Sequence, residues 1–134
     1  MEVLMEDAVR STVASLVQAL NDGDVDAALR HYDAGAVFVA QPGKMVRGTA
    51  AIGDALRAMV AARPRLTTHR SEVLAAGELA LYLAHWSMEL EAADGRQTAS
   101  ACSADVLRRG PDGAWRVLID DPWGTALVGA PMPK

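Results

Sequence analysis

The chain has a single cysteine, Cys102, in 134 residues, which excludes an internal disulfide. Its three histidines, His31, His69 and His85, stand far apart in sequence, and no Cys/His group has zinc-like spacing, so no metal is expected. No cofactor motif is present either, and none is expected. Thirteen Lys plus Arg against seventeen Asp plus Glu leave a net charge of −4, with the cations scattered singly or in pairs such as Arg108 and Arg109. A phosphate-tracking surface needs clustered positive charge, so nucleic acid is not an expected partner. The start, Met1-Glu2-Val3-Leu4-Met5-Glu6-Asp7, lacks the basic flank and unbroken apolar run of a leader. No stretch reaches the roughly 18 apolar residues of a spanning helix. The expectation is a cytoplasmic protein that does not engage a membrane. Aromatic residues are scarce at 4%, whereas alanine supplies 26 of 134 positions, so small side chains must pack much of the interior.

The length suits one domain, with a core over about 6–124 and a tail over 125–134 expected to fray. Val9, Val13, Leu16, Val17 and Leu20 make one helical stripe, ended by Asn21-Asp22-Gly23. Asp24 is placed to cap a second helix, Val25 to Tyr32. Ala36 to Ala40 reads as a buried strand, and Thr49 as the cap of a third helix whose buried face holds Ile52, Leu56, Met59 and Val60. After Pro64 the period becomes strand-like, over 66–76, 78–91, 97–109 and 114–121, with hairpin chemistry at Ala76-Gly77, Ala93-Asp94-Gly95 and Pro111-Asp112-Gly113. Helices first and a strand meander after them predict an α+β domain, with three helices on a strongly curved antiparallel sheet.

Turn type sets register, and register decides which polar side chains share a face. A three-residue Pro111-Asp112-Gly113 loop opposes Gly110 to Ala114, which sets Leu107 opposite Val117, Asp105 opposite Ile119 and Ser103 opposite Asp121. Asp105 then stands among apolar neighbours, where a carboxylate is costly unless hydrogen-bonded or protonated. The same loop type at Ala93-Asp94-Gly95 puts His85 opposite Ser103 and Leu83 opposite Asp105, whereas a two-residue Asp94-Gly95 turn sends His85 to the other side. On the three-residue reading one face gathers His85, Ser103, Asp105 and Asp121, with Asp105 and His85 as the candidate proton-transfer pair. Cys102 alternates away from Asp105.

Three strings resemble the nuclear transport factor two-like superfamily, which includes ketosteroid isomerases and SnoaL-like polyketide cyclases. They are Leu20-Asn21-Asp22-Gly23-Asp24-Val25-Asp26-Ala27, Gly48-Thr49-Ala50-Ala51-Ile52 and Asp112-Gly113-Ala114-Trp115-Arg116-Val117. The resemblance implies a cone with an apolar pocket at its open end, and a dimer. It also puts Leu16 where the isomerases carry a catalytic tyrosine, Gln41 where they carry the general-base aspartate, and Asp105 where they carry a hydrogen-bond-donating aspartate kept neutral by an apolar site. Leu83, His85, Ser103, Leu107 and Ile119 fall on the pocket face by the same comparison, and Trp123 at an aromatic pocket position. Gln41 is the candidate for orienting a ligand carbonyl.

The expected activity is therefore cofactor-independent proton transfer on a small apolar carbonyl-bearing or polycyclic molecule, with isomerisation or cyclisation the class implied by the resemblance. The competing expectation is a non-catalytic ligand-binding or dimerisation module. The strand Leu79 to Leu90 is apolar on both sides. Taking Leu79, Leu81 and Leu83 as the inner side leaves Ala80, Tyr82, Ala84, Trp86 and Met88 for a homodimer to cover.

Overall fold

A computed structural model describes residues 2–129. Helix α1, Glu2–Asn21, buries Val9, Val13, Leu16 and Leu20, the three-and-four spacing that the sequence shows. Helix α2 is Val25–Leu29, and the Asp24 carboxylate accepts from the Ala27 N–H at its first turn. Helix α3, Thr49–Val60, turns Ile52 and Leu56 inward. The cap expected at Thr49 falls instead at Gly48, whose φ of 88° suits glycine and whose N–H bonds the Ala36 carbonyl. Tyr32 does not end a helix, because the short α2 stops at Leu29 and Tyr32 opens a strand.

The strands are β1 Tyr32–Gln41, β2 Lys44–Arg47, β3 Arg65–Ala76, β4 Leu79–Ala92, β5 Gly95–Arg109 and β6 Trp115–Asp121. They form one curved, unclosed sheet in the order β2-β1-β6-β5-β4-β3, with the three helices packed on it. The sheet is not wholly antiparallel: β1 runs parallel to β6. Strand β2 is short and largely exposed, and so carries no alternating signal to read in advance. The core between helices and sheet includes Val9, Ile52, Leu56, Leu107 and Val117, all nearly or fully inaccessible. Burying one such aliphatic side chain contributes roughly 1.5–3 kcal/mol. No described helix is long and apolar enough to cross a membrane. A 3₁₀ turn spans Gly124–Leu127, where the tail begins. Of the tail expected to fray, residues 130–134 lie outside the described residues.

Two registers differ from expectation, and each moves side chains across the sheet. At the β4–β5 hairpin Ala92 pairs with Gly95, leaving a two-residue Ala93-Asp94 turn. His85 therefore pairs with Cys102, Ala84 with Ser103 and Tyr82 with Asp105. The β5–β6 loop does have three residues, with the Gly110 N–H on the Ala114 carbonyl and Gly113 at φ 82°. Leu107 accordingly pairs with Val117. One step later the pairing shifts, Val106 to Ile119 and Asp105 to Asp120, so Leu118 is an extra residue in a β-bulge.

Candidate functional site

The inner face of β4 carries Ala80, Tyr82, Ala84, Trp86 and Met88, and the concave side of β5 carries Ser103, Asp105 and Leu107. Where the inner face is alanine rather than a large residue, the helices and sheet leave space. A cavity of about 120 Å³ lies between them, walled by Val13, Leu16, Leu20, Phe38, Leu56, Met59, Leu66, Ala84 and Met88. That is comparable with an engineered cavity of about 150 Å³ that holds one benzene ring. Tyr32, Tyr82, Asp105 and Asp120 form its buried polar end. Thr67, Thr68, Trp86 and Trp123 line its more accessible part.

The bulge at Leu118 assembles the polar end. Without the extra residue, the alternation set by Trp115 and Val117 would bring Ile119 and Asp121 inward; with it, Asp120 points in. Asp105 and Asp120 are 7% and 9% exposed and lie directly opposite across the β5–β6 ladder. One oxygen of Asp105 accepts the Asp121 backbone N–H at 2.9 Å. Burial pushes the Asp105 carboxyl well above the ordinary aspartate range, and the neighbouring Asp120 charge and a side-chain hydrogen bond to Asp120 push it the same way. Burial also raises Asp120, but less simply, because hydrogen bonds from Tyr32 and Asp105 favour its ionised form. The Tyr32 hydroxyl donates to Asp120 Oδ2 at 2.5 Å, and burial beside that carboxylate holds the phenol well above its usual range. The three side chains form a hydrogen-bonded chain in which Tyr32 donates to Asp120, and of the two carboxyls Asp105 is the one pushed further toward its neutral form.

Trp123 lies across the more accessible part of the cavity. Its Nε1 donates to the Ala40 carbonyl at 3.2 Å and its ring meets Trp86 edge-on, with centroids 5.5 Å apart. Trp86 Nε1 donates to the Pro122 carbonyl at 2.7 Å. The turn that carries Trp123 there is held by Asp121, whose Oδ1 accepts from the backbone N–H groups of Trp123 and Gly124.

Of the residues singled out in sequence, Leu16, Ser103, Asp105 and Trp123 line the cavity. The Ser103 hydroxyl faces the Ala84 carbonyl at 3.5 Å. His85 and Leu83 do not line it: the shorter β4–β5 turn puts both on the outer face, and Leu83 is 38% exposed. The His85 ring lies against that of His69 in a tilted contact, with centroids 5.2 Å apart, and His69 Nε2 shares a hydrogen bond with Ser87. The β6 bulge puts Ile119 outside, 41% exposed, and turns Asp121 to capping rather than ligand contact. Gln41 is exposed at the end of β1, and Leu107 is fully buried in the core beside the cavity rather than in its wall. Asp120 and Tyr32 were the polar groups missed as site residues. The acidic pair Asp120-Asp121 was the available signal, but only the bulge decides which of the two turns inward. Among the described residues no group of three or more His, Cys, Asp or Glu side chains is placed to hold a metal ion.

Three helices on a curved, unclosed sheet thus enclose an apolar cavity with a polar end. The model of the SnoaL-like domain matches residues 13–117, and the chain belongs to that family. No curated protein matches the chain in sequence. A nuclear transport factor 2-like superfamily protein from Salmonella enterica superposes with a TM-score of 0.83 at 12% identity, over 98% of this chain and 100% of that one. An NTF2-like protein with a cystatin-like fold from Novosphingobium aromaticivorans gives 0.75 at 18%, over 89% and 81%. A Catenulispora acidiphila protein solved in complex with S-DNPA gives 0.76 at 20%, over 90% and 92%. At these identities the likeness is one of fold.

Proposed function

We propose that the protein is a cofactor-independent enzyme that moves a proton on a small carbonyl-bearing molecule whose reacting part is an uncharged body of about one ring, in the isomerase or cyclase class. The observation that carries this reading is the Tyr32–Asp120–Asp105 chain at the buried end of an apolar cavity. A ligand carbonyl reaching that end takes the hydrogen bond of the neutral Asp105 carboxyl. Asp120, kept ionised by the Tyr32 hydroxyl, removes a proton from the adjacent carbon, and the enol oxygen stays bonded to Asp105. Where the substrate has a carbon–carbon double bond conjugated with the enol, returning the proton from Asp120 to the γ-carbon shifts that double bond and completes an isomerisation. The charge is conserved, and the chain's own side chains hold every proton that moves. His85 and Gln41 have no part in this scheme, because neither lines the cavity.

A second reading, ligand binding without turnover, is favoured by Leu16 and Gln41, which occupy the positions of the tyrosine and base aspartate that the isomerase resemblance implies. Deuterium exchange at the α-carbon of cyclohexanone, followed by NMR, separates the two. Wild type should exceed Asp105→Asn and Asp120→Asn by roughly 10²-fold or more, while tryptophan quenching by the same ketone changes only a few-fold. Equal exchange in all three proteins rejects proton transfer and leaves the binding reading. The proposal extends to a homodimer through the sheet, formed by the outer face that carries Leu79, Leu81 and Leu83 rather than by the inner face, which the helices cover.

A further inference from the structure

The rim where α1, α3 and β3 meet differs chemically from the cavity beside it. A polar groove of about 590 Å³ lies there, lined among others by Gln18, Asn21, Arg63, Arg65, Glu91 and Arg96. Leu20 is a wall of both groove and cavity, so the two spaces adjoin. Arg96 is already paired, with Glu89 at 3.6 Å and Glu91 at 3.7 Å, and Gln18 holds Asp22 at 2.9 Å. Arg63 and Arg65 make no ion pair among the described residues. Arg63 also has a φ of 50°, the one non-glycine residue in the left-handed region among those described, just before the buried Pro64. An unfavourable backbone conformation is thus maintained at an arginine that faces open groove.

The cavity shows the opposite preference. No Lys, Arg or His lines it, and two carboxyl groups stand at its buried end. An anionic group is repelled from that end and attracted to the rim. We infer that the ligand has two parts: an uncharged ring-sized body in the cavity, joined by a short chain over Leu20 to an anionic oxygen group, a carboxylate or a phosphate, on Arg63 and Arg65. This rests on the proposed reading that the cavity is the ligand site. It adds that the reacting molecule carries its charge at the far end from the reacting carbonyl.

The competing role for the two arginines is to offset the negative carbonyl ends of α1 and α3, which finish at Asn21 and Val60. Probes of graded reach separate the roles: 4-phenylbutyrate, 6-phenylhexanoate and 4-phenylbutyl phosphate, with the primary amides of the two acids, titrated against tryptophan fluorescence at low salt. At least one anion should bind about five- to tenfold tighter than its neutral counterpart, a preference that 0.5 M salt suppresses. Arg63→Gln with Arg65→Gln should abolish the preference while leaving amide affinity within about twofold, and whichever anion loses more identifies the group. Equal binding of acid and amide by wild type overturns the inference, as does a preference that survives the double substitution. In both cases bound amides leave the cavity reading standing. If no phenyl probe binds, amides included, the cavity reading itself fails.

Discussion

Asp105 is the side chain whose ionisation the fold resists most plainly. Its carboxyl is pushed well above the ordinary aspartate range because it is buried beside Asp120, and Asp120 is raised as well. A carboxyl whose pKa is higher folded than unfolded stabilises the protein fully below the unfolded value and loses that contribution as pH climbs through the folded one. The melting temperature should therefore fall as pH rises above about 4 through the titration of the pair. Asp105→Asn, which retains a hydrogen-bond donor and has nothing to ionise, should flatten that decline in a thermal-melt series. The surface carboxylates behave oppositely. Asp112 is held at about 2, chiefly by its hydrogen bonds from Arg116, and Asp33 is lowered, chiefly by the Gly35 N–H. Their contribution is lost as pH falls, so wild type and variant should share the same acid limb. An alkaline-side decline that is identical in the two proteins would contradict the assignment of a neutral Asp105.

At the level of elements, ends and turns were legible where one residue type meets one backbone requirement. Asp24 caps α2 by accepting the Ala27 N–H, and Asp24→Ala should cost about 1 kcal/mol in denaturant unfolding. Gly113 closes the β5–β6 loop at φ 82°, and Gly113→Ala should cost about 1–2 kcal/mol in the same measurement, because a Cβ there meets its own carbonyl. The site was legible only where its register came directly from such a turn: Asp105 on the inner face, and Leu107 opposite Val117, were within reach. Asp120 was not, since a bulge at Leu118 has no composition mark in Val117-Leu118-Ile119. His85 was misplaced because Ala93-Asp94-Gly95 fits both two- and three-residue turns, and one residue of slip exchanges the faces of an entire strand.

For the whole molecule, the outer sheet face presents Leu74 at 63%, Leu79 at 49%, Leu83 at 38% and Ile119 at 41% exposure. This is the apolar surface that the proposed homodimer would cover, since the helices cover the other side of the sheet. The expected state in solution is a dimer by light scattering, converted to monomer by Leu83→Asp with Ile119→Asp, with circular dichroism unchanged; a monomeric wild type would refute it. What the sequence by itself determined is local in origin: the helix stripes, the glycine and aspartate turns, the helices-then-strands order, and the alanine-rich interior that leaves room for a cavity. What only the tertiary structure decided is which carboxylates meet. Tyr32 reaches Asp120 through a parallel β1–β6 pairing between segments 88 residues apart, and Asp120 faces inward because of a bulge two residues earlier in its own strand, set by the pairing with β5. Short-range propensity sets each segment's shape, but long-range pairing sets its register, and the chemistry of the cavity depends on register.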